Sequence, residues 1–357
     1  MTDPKLLALH TGVPLRCFRQ DDIADLYIAL LAGQNGTRRE RAIRTAMRYA
    51  GVETRYSVTE PTFYDQPRTT QQRNDRYMQE ALPLATQIIL GGLEGAGIAP
   101  AAIDSLVVVS CTGFNVPGLD LLLAHDLSLS PSLARTQVFG MGCYGAFPGI
   151  RRALDSARAR PGRLSLVLCL ELCTLHLQFD DSTESVVSTS LFADGGGMVV
   201  IGADAPESAS SVGMPSFIDS ETYCDYRTLD HMSFTVTDHG FRMYLSSYVP
   251  DVLAANIAAF VNRLLERNGL AHEQVRFWAI HPGSYRIVEY IQQQLSLSDE
   301  QAKYSFETLR DFGNMSSATV LFVLDRIVRD GEPNRGDYGV MMAFGPGLTM
   351  EAMLLRW

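Results

Sequence analysis

Three side chains in this sequence could together work on an activated acyl group, and the first is a cysteine. Cys143 lies in the run 137–149, which carries glycines at 140, 142 and 145 and leads into a helix-like stretch at 150–160. Glycine lets a backbone turn sharply and approach a ligand closely, and the following helix would aim its positive N-terminal end at the sulfur. A free thiol with a pKa near 8.5 is only about 3% ionised at pH 7, so this context predicts a depressed pKa and a thiolate nucleophile. A buried structural cysteine is the competing reading of the same turn.

The other two lie downstream. His281 ends the apolar run 275–280, and Pro282 and Gly283 force a turn directly after it, which predicts an imidazole at a strand end facing a cleft. Asn314 precedes the helical run 319–329 and is either an N-cap or an amide donor for an oxyanion or enolate. A soft nucleophile, an imidazole able to form a thiolate–imidazolium pair and an amide donor make a set suited to acyl transfer.

The elements that must position them read as an alternation of helices and strands. Runs 20–32 and 38–51 are amphipathic helix candidates; the second carries Arg38, Arg39, Arg41, Arg44 and Arg48, either a solvated face or guanidinium forks for phosphate. Residues 57–75 read as a polar, proline-interrupted loop, 78–96 as a helix closed by Gly97, and 105–110 as a buried strand. Run 164–172 is another buried strand, whose Glu171 must be hydrogen-bonded or protonated. The stretch 191–201 reads as a triple-glycine turn feeding a strand, without the frame of a phosphate cradle. A polar patch at 202–211 divides the chain into halves, 1–205 and 206–357, each with a phenylalanine-glycine turn leading into a helix.

With 357 residues, 46% of them hydrophobic and 20% charged, the chain is long enough for two core-bearing halves. The net charge of -10 and a pI near 5.2 argue against a nucleic-acid surface. Six cysteines scattered through apolar surroundings suit a reduced cytoplasmic protein, and Cys169 and Cys173 lack a second ligand pair, so no metal is expected. The first ten residues lack the features of a secretory leader, and no apolar stretch approaches the length of a membrane span.

Four local words then carry a resemblance: Phe139-Gly-Met-Gly-Cys143, Ile280-His-Pro-Gly283, Phe312-Gly-Asn-Met-Ser-Ser-Ala318 and Ala343-Phe-Gly-Pro-Gly-Leu-Thr-Met350. In order and spacing they resemble the type III polyketide synthases, the chalcone-synthase-like family of thiolase-fold condensing enzymes. The resemblance implies an α/β protein with layered α/β/α/β/α architecture in two pseudo-duplicated halves. It implies a homodimer that uses an acyl-CoA starter and malonyl-CoA extenders, with no cofactor, metal or acyl carrier protein. Cys143 would hold the acyl group while His281 and Asn314 assist decarboxylation and condensation, and cyclisation would give an alkylpyrone or alkylresorcinol, or tetrahydroxynaphthalene from malonyl units alone. It further implies substrate-contacting roles for Phe192, Cys111, Met243, His176, Ser316 and Pro346, with Phe192 a gate and Met243 standing where plant members carry a second gating phenylalanine. Val116 would reach into the neighbouring subunit, and Arg48 and Arg55 would meet the coenzyme A phosphates. A papain-like protease shares the cysteine, histidine, asparagine order but not its local signature. A single-condensation ketoacyl synthase shares the triad but usually lacks the closing word, and a non-catalytic scaffold would not need all three residues.

Overall fold

A computed structural model describes residues 4–31, 38–203, 213–246 and 248–357. In chain order the first half contains β1 (Lys5–Gly12), β2 (Arg16–Arg19), α1 (Gln20–Leu30), α2 (Arg38–Tyr49), β3 (Thr54–Ser57), α3 (Thr70–Ala96), β4 (Ile103–Val109), α4 (Leu119–Asp126), β5 (Ala134–Val138), α5 (Ala146–Ala159), β6 (Leu164–Leu172), α6 (Thr183–Leu191) and β7 (Asp194–Gly202). The second contains β8 (Ser216–Cys224), β9 (Met232–Thr237), β10 (Gly240–Leu245), α7 (Val249–Arg267), β11 (Val275–Ile280), α8 (Tyr285–Gln294), α9 (Asp299–Phe312), α10 (Thr319–Asp330), β12 (Tyr338–Gly345) and β13 (Thr349–Arg356).

Strands that are apolar on both faces dictate the layering. Along β6, Leu164, Leu166, Leu168, Leu170 and Leu172 join a core with α3 and α4, while Val167 and Cys169 join a central core with α5 and α10. Along β12, Val340, Met342 and Phe344 face α7 and α8, while Met341 and Ala343 face the same central core. Helix, strand, central helix pair, strand and helix therefore stack as α/β/α/β/α. The central α10 is buried nearly all round, from Val320 through Leu324, as its position requires.

The main sheet runs β11-β12-β13-β8-β1-β7-β6-β4-β5. In the first half β4 is parallel to β6, β6 antiparallel to β7 and β7 antiparallel to β1; in the second, β11 is parallel to β12, β12 antiparallel to β13 and β13 antiparallel to β8. The same motif thus occurs twice, joined where Lys5 of β1 meets Ser216 of β8.

Three local expectations change. Helix α3 begins at Thr70 rather than 78, because Thr69 and Gln72 form a reciprocal capping box within the supposed loop. The glycines 195–197 lie inside β7 and not in a turn. A Cβ at 195 would sit 2.4 Å from Met315 Sδ, one at 196 2.7 Å from Ile88 Cδ1 and one at 197 3.0 Å from Leu321 Cβ, so their bareness lets α3, α10 and the Met315 segment close on the strand. The helix after Cys143 begins at Ala146, four residues earlier than expected. The dividing patch at 202–211 falls largely on residues outside those described, as does Ala32.

Candidate active site

The Cys143 turn is built by glycine. Gly140 and Gly142 have φ of 78° and 63°, in the left-handed region, and a Cβ on Gly142 would lie 2.7 Å from Pro346 Cδ. Pro346 is thereby seated against the turn that holds the cysteine. Gly145, at the start of α5, leaves room for Val109, whose Cγ1 would be 2.8 Å from a Cβ there. Cys143 ends up at a helix start as expected, but buried, and burial pushes its thiol up to about 12. Hydrogen bonds with Ser316 and Asn314 act in the opposite direction without offsetting this. The expected depression is therefore reversed: desolvation outweighs the helix end.

Asn314 is held on every side. Its N–H donates to Leu191 O at 2.8 Å, its carbonyl accepts from Ala193 N at 2.9 Å, and its backbone bridges Phe192. Its Oδ1 accepts from Ser316 N at 2.8 Å and its Nδ2 donates to Gly283 O at 3.1 Å. It does not cap α10, which starts at Thr319 after a short turn at Ser316–Ala318; its side chain closes a tighter local turn instead. Gly283 belongs to the turn after His281, so one amide links the histidine turn to the cysteine.

His281 directly follows the end of β11 as predicted, but at 1% exposure it is buried and does not face an open cleft. Among the described residues neither ring nitrogen has a hydrogen-bond partner, and burial holds the imidazole down to about 3. Leaving a buried polar atom unpaired costs about 1–3 kcal/mol, and such an atom in a native fold calls for an explanation, a catalytic role or a bound water among them.

Glu171 is fully buried and accepts from Cys111 N at 3.0 Å, Thr112 Oγ1 at 2.9 Å and Ser317 Oγ at 2.5 Å. Burial raises its carboxyl above the usual range, against the pull of those donors. Cys111 Sγ lies 3.5 Å from the same carboxylate and 3.6 Å from Ser316 Oγ, and burial followed by the Glu171 charge pushes that thiol well up. Cys111 and Cys143 thus flank Ser316 as two neutral thiols.

Phe192, Met243, His176, Cys173, Thr112 and Phe241 line a cavity of about 30 Å³, room for roughly two waters. His176 Nε2 is 2.7 Å from Thr112 O, Phe241 N donates to Nδ1 at 3.2 Å, and the two rings stack 4.2 Å apart. These partners assign a neutral ring with the proton on Nε2, and burial pulls its pKa to about 4. Both nitrogens are committed, so His176 lines the cavity but is no second base.

The two arginines part company. Arg48 is exposed and borders a surface groove of about 980 Å³ with Tyr285, Lys303 and Arg310. Arg55 is 1% exposed, its guanidinium spent on Thr189, Ser190 and Phe192 carbonyls and Gln20 Oε1, so it cannot reach a coenzyme A phosphate. Sequence reasoning missed Thr112, Cys173 and Ser317. The serine doublet 316–317, in which one hydroxyl faces each of the buried thiol and carboxylate, was the available signal. Among the described residues no group of three His, Cys, Asp or Glu could hold a metal, and no helix is long and apolar enough to cross a membrane.

Comparison with known proteins gives a consistent picture. Residues 2–205 match the family model "Chalcone and stilbene synthases, N-terminal domain" and residues 226–357 the corresponding C-terminal domain. The chain is 34% identical over 353 residues to an alpha-pyrone synthesis polyketide synthase-like protein of Mycobacterium tuberculosis, covering 97% of this chain and 89% of that one. It is 33% identical over 351 residues to a 1,3,6,8-tetrahydroxynaphthalene synthase of Streptomyces peucetius, covering 98% and 92%. The crystal structure of PKS-I from the brown alga Ectocarpus siliculosus superposes with a TM-score of 0.92 at 29% identity, over 100% of this chain and 98% of that one.

Proposed function

The chain belongs to the chalcone and stilbene synthase family and is a type III polyketide synthase, and from that premise we propose that it extends an acyl-CoA starter with malonyl-CoA on Cys143 and closes the product to an alkylpyrone or alkylresorcinol. The observation that carries the reading is buried His281, whose ring nitrogens have no partner among the described residues and whose turn Asn314, beside the Cys143 thiol, grips at Gly283 O. With thiol and imidazole both neutral, attack on the starter thioester forms the new C–S bond as His281 takes the thiol proton, and the old C–S bond breaks as coenzyme A leaves as its thiol with that proton. Malonyl-CoA then loses carbon dioxide, the Asn314 amide and the His281 N–H hold the enolate oxygen, and the enolate carbon attacks the Cys143 thioester. Its C–S bond breaks, the Cys143 sulfur leaves as thiolate, and the lengthened chain, now on coenzyme A, is transferred back to Cys143 for the next round. Repetition lengthens the chain, which must displace Met243 or its neighbours to grow past Phe192, given the size of the cavity.

Arg48, on its exposed groove, is the remaining arginine candidate for the coenzyme A phosphates. Val116, 92% exposed beside exposed Phe114 and Phe139, is read as the residue that enters a second copy in a homodimer. Coenzyme A thioester substrates and six free cysteines suit a cytoplasmic setting. A synthase using malonyl units alone is the second reading, favoured by the small cavity and the tetrahydroxynaphthalene synthase relative. Incubation with labelled malonyl-CoA, with and without a panel of acyl-CoAs, followed by mass spectrometry decides. Products whose mass tracks the starter support the first reading, and a phenolic product from malonyl-CoA alone supports the second.

A further inference from the structure

The arginine set aside as a phosphate ligand occupies a more consequential place. Arg55 of β3 is buried without a carboxylate in ion-pair reach among the described residues, and burial pulls its pKa down to about 9. Keeping an unpaired guanidinium inside a protein is costly unless fixed dipoles surround it. Here they do. Nη1 donates to Thr189 O and, at 2.9 Å, to Phe192 O; Nη2 donates to Ser190 O at 2.8 Å and to Gln20 Oε1. Gln20 is itself fixed, its Nε2 donating to Met47 O and Ser190 O at 2.9 Å each.

Thr189 and Ser190 belong to the last turn of α6, where carbonyls lack helical partners and the helix carries its negative end. A planar fork of donors can serve several such carbonyls at once, which a lysine ammonium cannot. The segment they start, 189–193, is gripped from two sides. Arg55 takes the carbonyls of 189, 190 and 192, while Asn314 takes the Leu191 carbonyl and receives the Ala193 N–H. Gly313, with φ of 70°, lets the two grips approach: a Cβ there would be 2.9 Å from Leu191 O and 3.6 Å from Arg55 Cβ.

We infer that Arg55 is a positioning residue for the condensation reaction, its guanidinium fixing the 189–193 turn and, through that turn, the backbone of Asn314 and the ring of Phe192. The inference rests on the reading of Asn314 as the enolate donor. It is tested by comparing malonyl-CoA decarboxylation, which depends on Asn314, with acyl loading of Cys143 followed by mass spectrometry, in Arg55→Lys and Arg55→Ala. A displaced donor costs about ten- to a hundredfold in kcat. Decarboxylation kcat is expected to fall by that factor in Arg55→Lys, with KM and the loading rate within about threefold of the wild type. Millimolar methylguanidinium is expected to restore part of it in Arg55→Ala. An unchanged kcat overturns the inference, as does a parallel loss of both reactions that methylguanidinium does not reverse. Should Arg55→Lys fail to fold, Gln20→Met decides by the same split, and equal effects on both reactions count against the proposal. Asn314→Ala is the separate control: if it keeps full decarboxylation, the reading of Asn314 is what fails.

Discussion

The two helix starts that meet at the site, one before α5 and one before α10, occupy equivalent places in the duplicated fold yet are held by different means. The Cys143 turn depends on missing side chains: left-handed glycines at 140 and 142, and contact of Gly142 with Pro346. The Asn314 turn depends on added hydrogen bonds. Beyond the Asn314 bonds already described, Met315 N donates to Thr319 Oγ1 at 2.8 Å, and that hydroxyl donates to Ser316 O at 3.0 Å. On the proposed roles, the missing side chains let Pro346 and Val109 close around the nucleophile's turn, while an enolate donor works by being fixed before charge develops.

The largest effect expected is from Cys143→Ala, which abolishes polyketide formation. In the wild type, brief exposure to acyl-CoA should give a mass adduct on the Cys143 peptide, and an adduct found only on Cys111 would break the assignment of roles. Next, Asn314→Ala should lower malonyl-CoA decarboxylation by about 10²–10³-fold, the loss typical of one oxyanion donor, while acylated Cys143 is still trapped. Equal loss of both steps would erase the contrast between a turn shaped by missing side chains and one fixed by hydrogen bonds.

The pH dependence of thiol alkylation comes third. Burial raises the Cys143 pKa to about 12, so the thiol form predominates throughout the neutral range. Iodoacetamide inactivation, which follows the thiolate, should therefore rise about tenfold per pH unit from 6 to 9 without levelling near the ordinary thiol value. A flat profile near pH 6 that His281→Ala removes would instead establish a standing thiolate–imidazolium pair.

The smallest effects separate the two modes of support. Gly142→Ala puts a side chain at a left-handed φ and against Pro346, and should destabilise by about 1–3 kcal/mol. Thr319→Val removes a hydroxyl and strands Met315 N–H, with a cost of about 1–3 kcal/mol. Thermal melts measure both. Only the threonine change should lower decarboxylation more than acyl loading.

The local turns were more legible in the sequence than their surroundings. The strand end before His281 was readable because proline and glycine follow it at once, and the turn at Cys143 because glycines flank it. The layered α/β class followed from alternating apolar runs and the resemblance. Local words could not reveal desolvation: the thiol's pKa depends on what α10 and the Glu171 network bring to it from distant parts of the chain. Arg55 was misread for the same reason, since an arginine near others suggests an exposed phosphate site and a fully buried one is rare. The β7 glycines looked like a turn because the layers they accommodate are set by tertiary packing. Thr69 and Gln72 did carry a readable helix start.

Strand β1 has a consequence for how the molecule is made. Its residues pair with the far end of the first half, Lys5 with Gly202 and Gly12 with Gly196, and it also joins the second half at Ser216. Such distant pairing forms slowly, because a long loop must close before any contact repays it. During synthesis, residues 5–12 must wait for nearly two hundred later residues before their place in the sheet exists. Between the synthesis of β7 and the docking of β1, β7 presents an open edge, which favours pairing with other chains. Once docked, this one short strand covers the edge of β7 and meets β8 at its first residue, making it the step at which two partial sheets become one.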